Sequence, residues 1–206
     1  LLVWDVGTGA LLNTIDLSAN LTEKIEYLHT SPHYPDHVFI TSNYRAGKIN
    51  LNTRAADFWI QGDANVSRLY ANPIIFSNSG KLIAVIESAA SSVPLSFDRV
   101  WIKVIDGATG NILRTFEVAG KRESFTSIVF SDDDNRLAIS WPANSWHANP
   151  SVIVFNITNG DTIQQISFAH GSQPFAFFLG DQQELIYSLA RYPSAYWPAR
   201  ASLIEY

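Results

Sequence analysis

The sequence predicts an all-β fold: a β-propeller fragment of four-stranded antiparallel blades, about three full blades flanked by two partial ones. Three observations carry this. A strand–turn–strand unit built on Asp-x-x-Thr-Gly, or a near relative of it, recurs along the chain. Its turn residues fall about 50 residues, or twice that, apart, which is the period of a propeller blade. Each interval also holds a second apolar hairpin, so one period supplies four strands.

The turn unit is clearest at Val100–Val118, VWIKVIDGATGNILRTFEV. The Asp106 side chain can accept from backbone N–H groups two residues on, Thr109 can do so more weakly, and Gly110 can take the positive φ that returns the chain. LLVWDVGTGALLNTIDL opens the sequence with the same unit and SVIVFNITNGDTIQQISF repeats it, with Asp5 and Asn156 as turn residues. A fourth mark falls near Asn52, where KINLNTRAADFWIQG keeps the outline but loses Thr-Gly. ASLIEY reads as a further strand that stops before its turn.

We label the turn hairpin c–d and the hairpin before it a–b. Ser124–Ser140 is an a–b hairpin in which Phe125, Ile128 and Phe130 precede a polar turn and Leu137 and Ile139 follow it. SRLYANPIIFSNSGKLIAVIES, IEYLHTSPHYPDHVFITS and QPFAFFLGDQQELIYSLA share that outline. Strand c is apolar on both faces, as a strand between neighbouring sheets must be, whereas strand d alternates like an outer, half-exposed one. Asn20-Leu21-Thr22-Glu23 with Ile25 and Leu28 has the look of a capped helix, but the repeat register favours a strand there. The whole chain, 1–206, is thus read as one propeller fragment. It comprises a partial blade at 1–17, blades at approximately 24–62, 67–118 and 124–168, and a partial blade at 173–206.

Composition narrows the function. With 47% hydrophobic and 16% charged residues the chain can bury a core and is not a disordered tail. A formal net charge of −5 with no run of Lys or Arg argues against nucleic-acid or anionic-membrane surfaces, so no nucleic acid and no membrane are expected as partners. The absence of cysteine removes disulfides and Cys-based zinc sites. It leaves the compartment open, an intracellular one (cytoplasmic or nuclear) being favoured. A first residue inside a strand pattern and the absence of Met suggest a part of a longer polypeptide, and flanking parts of that polypeptide are expected partners. Poor solubility is expected of the fragment alone.

The turn units and hairpins resemble WD-repeat propellers. Trp4-Asp5 followed by Gly7-Thr8-Gly9 carries the eponymous pair, and Phe76-Ser77 and Phe130-Ser131 open the a–b turns. The resemblance spans nearly the whole chain with degenerate motifs: later units read Ile105-Asp106 and Phe155-Asn156, and the family's Gly-His pair becomes Gly120-Lys121, surviving in part at Ala169-His170. The family's buried Asp-His-Ser/Thr-Trp network is therefore not carried over. The Asp-x-x-Thr-Gly turn also occurs in quinoprotein-like and lactonase-like propellers. The resemblance implies a non-enzymatic scaffold binding a protein or peptide; a lactonase-like or quinoprotein-like enzyme and a structural propeller beside a catalytic domain are the alternatives.

The b–c connections SAASSVPLSFDR, SWPANSWHANPS and ARYPSAYWPARAS carry the candidate partner-binding residues Trp141, Trp146, His147, Tyr192, Tyr196 and Trp197. Large amphipathic rings are enriched at interface hot spots, and Pro limits the entropy lost on binding. Capping of blade ends by the same rings is the alternative reading. No catalytic, cofactor or metal residues are expected. His29, His33 and His37 are spaced four apart, but Pro32 and Pro35 break the helix that would align them. An a–b turn with solvent-facing imidazoles is the expected reading. Asp132-Asp133-Asp134-Asn135 starts like a calcium loop yet lacks the Gly and bidentate Glu of one, so it reads as a hairpin turn. Gly7-x-Gly9 precedes a strand, not a helix, and is no dinucleotide fingerprint. Asn20, Asn65 and Asn156 begin Asn-x-Ser/Thr triplets of the kind that arise often by chance.

Overall fold

The computed structural model describes residues 1–19, 21–42, 44–62, 67–69, 74–89, 99–119, 127–141, 151–168, 172–179, 184–191 and 202–204. Among these, all regular structure is strand, arranged in five antiparallel sheets. Sheet 1 pairs β1 (Leu2–Trp4) with β2 (Leu11–Thr14). Sheet 2 runs β3 (Ile25–His29), β4 (His37–Ser42), β5 (Arg45–Asn50), β6 (Ala55–Gln61) in spatial as in chain order. In sheet 3, β9 (Leu82–Ala89) pairs with β10 (Arg99–Asp106) and that with β11 (Ile112–Ala119). Its strand a is split: β7 (Ser67–Leu69) and β8 (Ile75–Phe76) both pair with β9. Sheet 4 is β12 (Ser127–Phe130), β13 (Arg136–Trp141), β14 (Ser151–Asn156), β15 (Thr162–Ser167). Sheet 5 is β16 (Ser172–Leu179), β17 (Glu184–Arg191), β18 (Ser202–Ile204). The ambiguous stretch after Leu21 enters strand β3, so the repeat register prevails over the helix signal there.

The sheets stack in chain order because each inner strand hides both faces. On sheet 3, Ala84, Ile86, Val100, Ile102 and Val104 pack with Ile128, Leu137, Ile139 and Phe155 of sheet 4. The alternate residues Ile83, Val85 and Ile105 pack with Phe39, Ala46 and Ile60 of sheet 2. Val38, Ile40 and Ile49 turn sheet 2's other face to Ile15 and Leu17, and Ala138, Val152 and Val154 turn sheet 4's other face to Ala176. Side chains alternating along one strand thereby serve two seams, each fully buried aliphatic contributing about 1.5–3 kcal/mol. The outer strands β11 and β15 expose Ile112 and Ile163.

The c–d turns share one closed form. Asp106 Oδ1 accepts from the amides of Ala108 and Thr109 at 3.1 and 2.7 Å and from Thr109 Oγ1 at 2.8 Å. Gly110 N–H returns to the Asp106 carbonyl at 2.9 Å, as Gly9 does to Asp5 at 2.8 Å and Gly160 to Asn156 at 2.9 Å. In sheet 2 Arg54 takes the glycine's place at φ 63° and donates to the Asn50 carbonyl at 3.0 Å, while Asn50 Oδ1 caps Asn52 and Thr53. The turn geometry therefore survives the loss of Thr-Gly, at the cost of a non-glycine residue in the left-handed region.

Candidate functional site

The sheets have two ends, and hydrogen bonds identify them. Within sheets 2, 3 and 4 the c–d turn bonds the a–b hairpin: Leu51 N–H to Asp36 O at 2.8 Å, Gly107 N–H to Lys81 O at 2.7 Å, Ile157 N–H to Asn135 O at 2.8 Å. Neighbouring a–b hairpins also touch: Tyr34 Oη donates to Gly80 O at 2.7 Å, and Ser79 Oγ bonds Asp134. All these turns lie together at one end of the stack, so the b–c connections leave from the other. They comprise 43–44 in sheet 2, but 90–98, 142–150 and 192–201 in sheets 3, 4 and 5.

Of the candidate rim residues, Trp141 is described, and it corrects the sequence reading for that position. It is the last residue of β13, pairs with Ser151, and is only 5% exposed in the seam with sheet 3. The strand runs one residue further than Ser-Trp-Pro suggests, which turns the ring inward; this matches the capping alternative. Trp146, His147, Tyr192, Tyr196 and Trp197 lie outside the described residues. At the base of connection 90–98, Lys103 Nζ and Glu87 Oε2 form a buried ion pair at 2.6 Å, on the face that meets sheet 2.

The turn end holds a cluster that the sequence reading missed. Lys48, 4% exposed, sits mid-strand in β5. Its Nζ donates to Gly107 O at 3.2 Å, lies 3.6 Å from Asp57 Oδ2 and stands 4.1 Å above the Tyr34 ring. Asp57 in turn meets His37 Nε2 at 2.9 Å, and Asn50 Nδ2 lies 3.2 Å from the same nitrogen. A buried ammonium ion is tolerated here because a carboxylate, a carbonyl and a ring face replace its water. Beside it a cavity of about 270 Å³ opens between sheets 2 and 3, lined by His33, Tyr34, Ser79, Gly80, Lys81, Asp106 and Ala108. Bonds from Thr109's backbone and side chain hold the Asp106 carboxyl below its ordinary range, with Lys48 adding to the effect. Burial, then Asp106, pushes the Tyr34 phenol up. The column comparison was the available signal: Lys48 stands two residues before its turn, where the other units have Val3, Val104 and Val154.

The histidines depart from the expected solvent-facing set. His33 is exposed, but His29 is half-buried, with its pKa lowered by desolvation, and His37 is held against Asp57 with a side chain only 17% exposed. Among the described residues no group of three or more His, Asp or Glu could hold a metal ion. Asp133 accepts from Ser131 Oγ at 2.6 Å and Asn135 N–H at 3.0 Å, so the Asp132–Asn135 carboxylates close a hairpin turn and join it to the neighbouring one. No helix among the described residues is long and apolar enough to cross a membrane.

No family model and no curated protein matches the chain. Solved structures do. The WD40 domain of Toxoplasma gondii coronin is similar at TM-score 0.58 and 8% identity, over 89% of this chain and 45% of that one. The Dos1 propeller is similar at 0.57 and 10%, over 100% and 54%. Acylaminoacyl peptidase is similar at 0.53 and 14%, over 89% of this chain and 31% of the peptidase. The chain therefore has the fold of a partial β-propeller and spans about half or less of these structures. At such identities the likeness establishes fold alone, and a WD40 domain and a peptidase are both represented.

Proposed function

We propose that the chain is a non-enzymatic propeller scaffold, part of a larger protein, that binds a protein or peptide at the rim from which its b–c connections leave. One observation carries the reading: three successive sheets send their longest connections, 90–98, 142–150 and 192–201, from the same end of the stack. Loops on a rigid scaffold are where binding residues concentrate. In sequence, two of these three connections contain Trp146, His147, Tyr192, Tyr196 and Trp197. Trp141, the last residue of β13, is buried in the seam, so the reading rests on the other five rings.

Phage-displayed peptides selected on the immobilised chain test this. Trp146→Ala and Trp197→Ala should each lower recovery of the selected peptides by about tenfold, the size of a hot-spot truncation above 1 kcal/mol, with an unchanged melting temperature. Selected peptides that bind both variants as well as the parent would place the surface elsewhere.

A further inference from the structure

Eight residues after each turn residue, strand d carries Asn13, Phe58, Arg114 and Gln164. Their backbone setting is the same in all four units, since each pairs with the residue two before its own turn: Val3, Lys48, Val104 and Val154. Three of the four reach forward onto the turn of the next sheet. Asn13 Nδ2 donates to Leu51 O at 3.1 Å. The Phe58 ring covers Gly110 so closely that a Cβ there would overlap it. The Arg114 guanidinium donates to Thr158 O, and its Cδ would lie 3.8 Å from a Cβ on Gly160. The amide and the guanidinium donate to turn carbonyls whereas the ring only packs, so it is the position, and not one kind of contact, that the three have in common.

We propose that this position is the coupling point of the repeat: each c–d turn is held shut by the sheet before it, and loosening the side chain opens the following turn and not its own. The turns are otherwise held by their own bonds, in sheets 2 to 4 by one bond to the a–b hairpin of the same sheet, and at Gly107 by Lys48, and their tips are exposed. A grip from the preceding sheet supplies the nearest-neighbour term on which a stacked repeat depends. The chain contains its own reference. Gly9 closes its turn as Gly110 and Gly160 do, yet nothing lies within 4 Å of its Cβ position and Val6 beside it is fully exposed. Within these 206 residues no sheet stands before the first turn, so in this chain it serves as the ungripped comparison.

Residue-resolved amide hydrogen exchange on the full chain tests this, because the amides of Gly9, Gly110 and Gly160 make the same bond. In the parent, Gly110 and Gly160 should exchange at least about tenfold more slowly than Gly9 after correction for intrinsic rates, the factor of one ordinary hydrogen bond. Arg114→Ala should speed Gly160 about tenfold and leave Gly110 unchanged, with Arg114→Lys recovering part of the loss. Phe58→Ala, or Phe58→Leu if the alanine variant does not fold, should speed Gly110 and leave Gly160 unchanged. Gln164→Ala, at the same repeat position, should move neither. The proposal is overturned if Arg114→Ala opens Gly110 instead of Gly160, if both turns respond alike, or if neither responds.

Discussion

The two seams of sheet 3 are built differently. Toward sheet 4 it presents Ile102, Val104, Phe116 and Val118, and Phe116 stacks on Phe155 at 4.4 Å and 26°. Toward sheet 2 its apolar set is smaller; the seam is completed by polar groups, Lys48 on Gly107 O and the Lys103–Glu87 pair, and by an aromatic edge in which Tyr34, Phe39 and Phe76 meet at 5.5 and 4.9 Å. Apolar packing tolerates sliding between alternatives of similar volume, whereas a buried charge has one place where its partners are. The first seam is the stronger joint and the second the more specific one. The cavity lies at the second.

Breaking the apolar seam should cost most. Phe155→Ala removes a buried ring from the stack and should lower stability by about 3–5 kcal/mol in urea unfolding, with little dependence on salt. Loss below about 1 kcal/mol would mean that sheets 3 and 4 are not joined as described. Lys48 sharpens the contrast. Lys48→Ala leaves Gly107 O short of a donor and takes the ammonium from beside Asp57, and should cost about 1–3 kcal/mol. Lys48→Met keeps the unbranched stem over Tyr34 and should recover part of that loss, because packing and charge contribute separately. Equal losses for the two variants would assign the whole effect to the charge.

The sequence makes the sheets legible and the seams only half so. Alternation and the recurring turn locate strands b, c and d, because those patterns are local. Trp141 misleads because Pro142 follows it, and proline is a natural place to end a strand; β13 nonetheless carries the ring into the seam. Arg54 hides a turn because its left-handed φ belongs by rule to glycine. The split strand of sheet 3 is only half legible: Asn72-Pro73 marks a break in the sequence, but not that β7 and β8 on either side of it both pair with β9. The cavity is the least legible feature: His33, Ser79 and Asp106 meet only when two sheets stack. Lys48 was within reach, as the one cation in a column of valines.

The smallest effect separates the seams by acidity. The turn beside Lys48 is built on Asp106, and the corresponding turn at the apolar seam on Asn156, which does not titrate. Folding depresses the Asp106 pKa, first through the Thr109 bonds, so the unfolded chain binds this proton more readily than the folded one. The stabilisation is therefore complete above the ordinary aspartate range near pH 4 and is lost as pH falls through the depressed folded value. Asp106→Asn keeps the acceptor oxygen and removes the titration. The gap in urea midpoint between parent and Asp106→Asn should accordingly narrow as pH falls from about 5 to 3. Exchange at Gly110 in the parent should rise over that window relative to Gly160, whose turn has no carboxylate at its first position. A gap that stays constant, or a Gly160 amide that loosens in step with Gly110, would show that the two turns are held by the same forces after all.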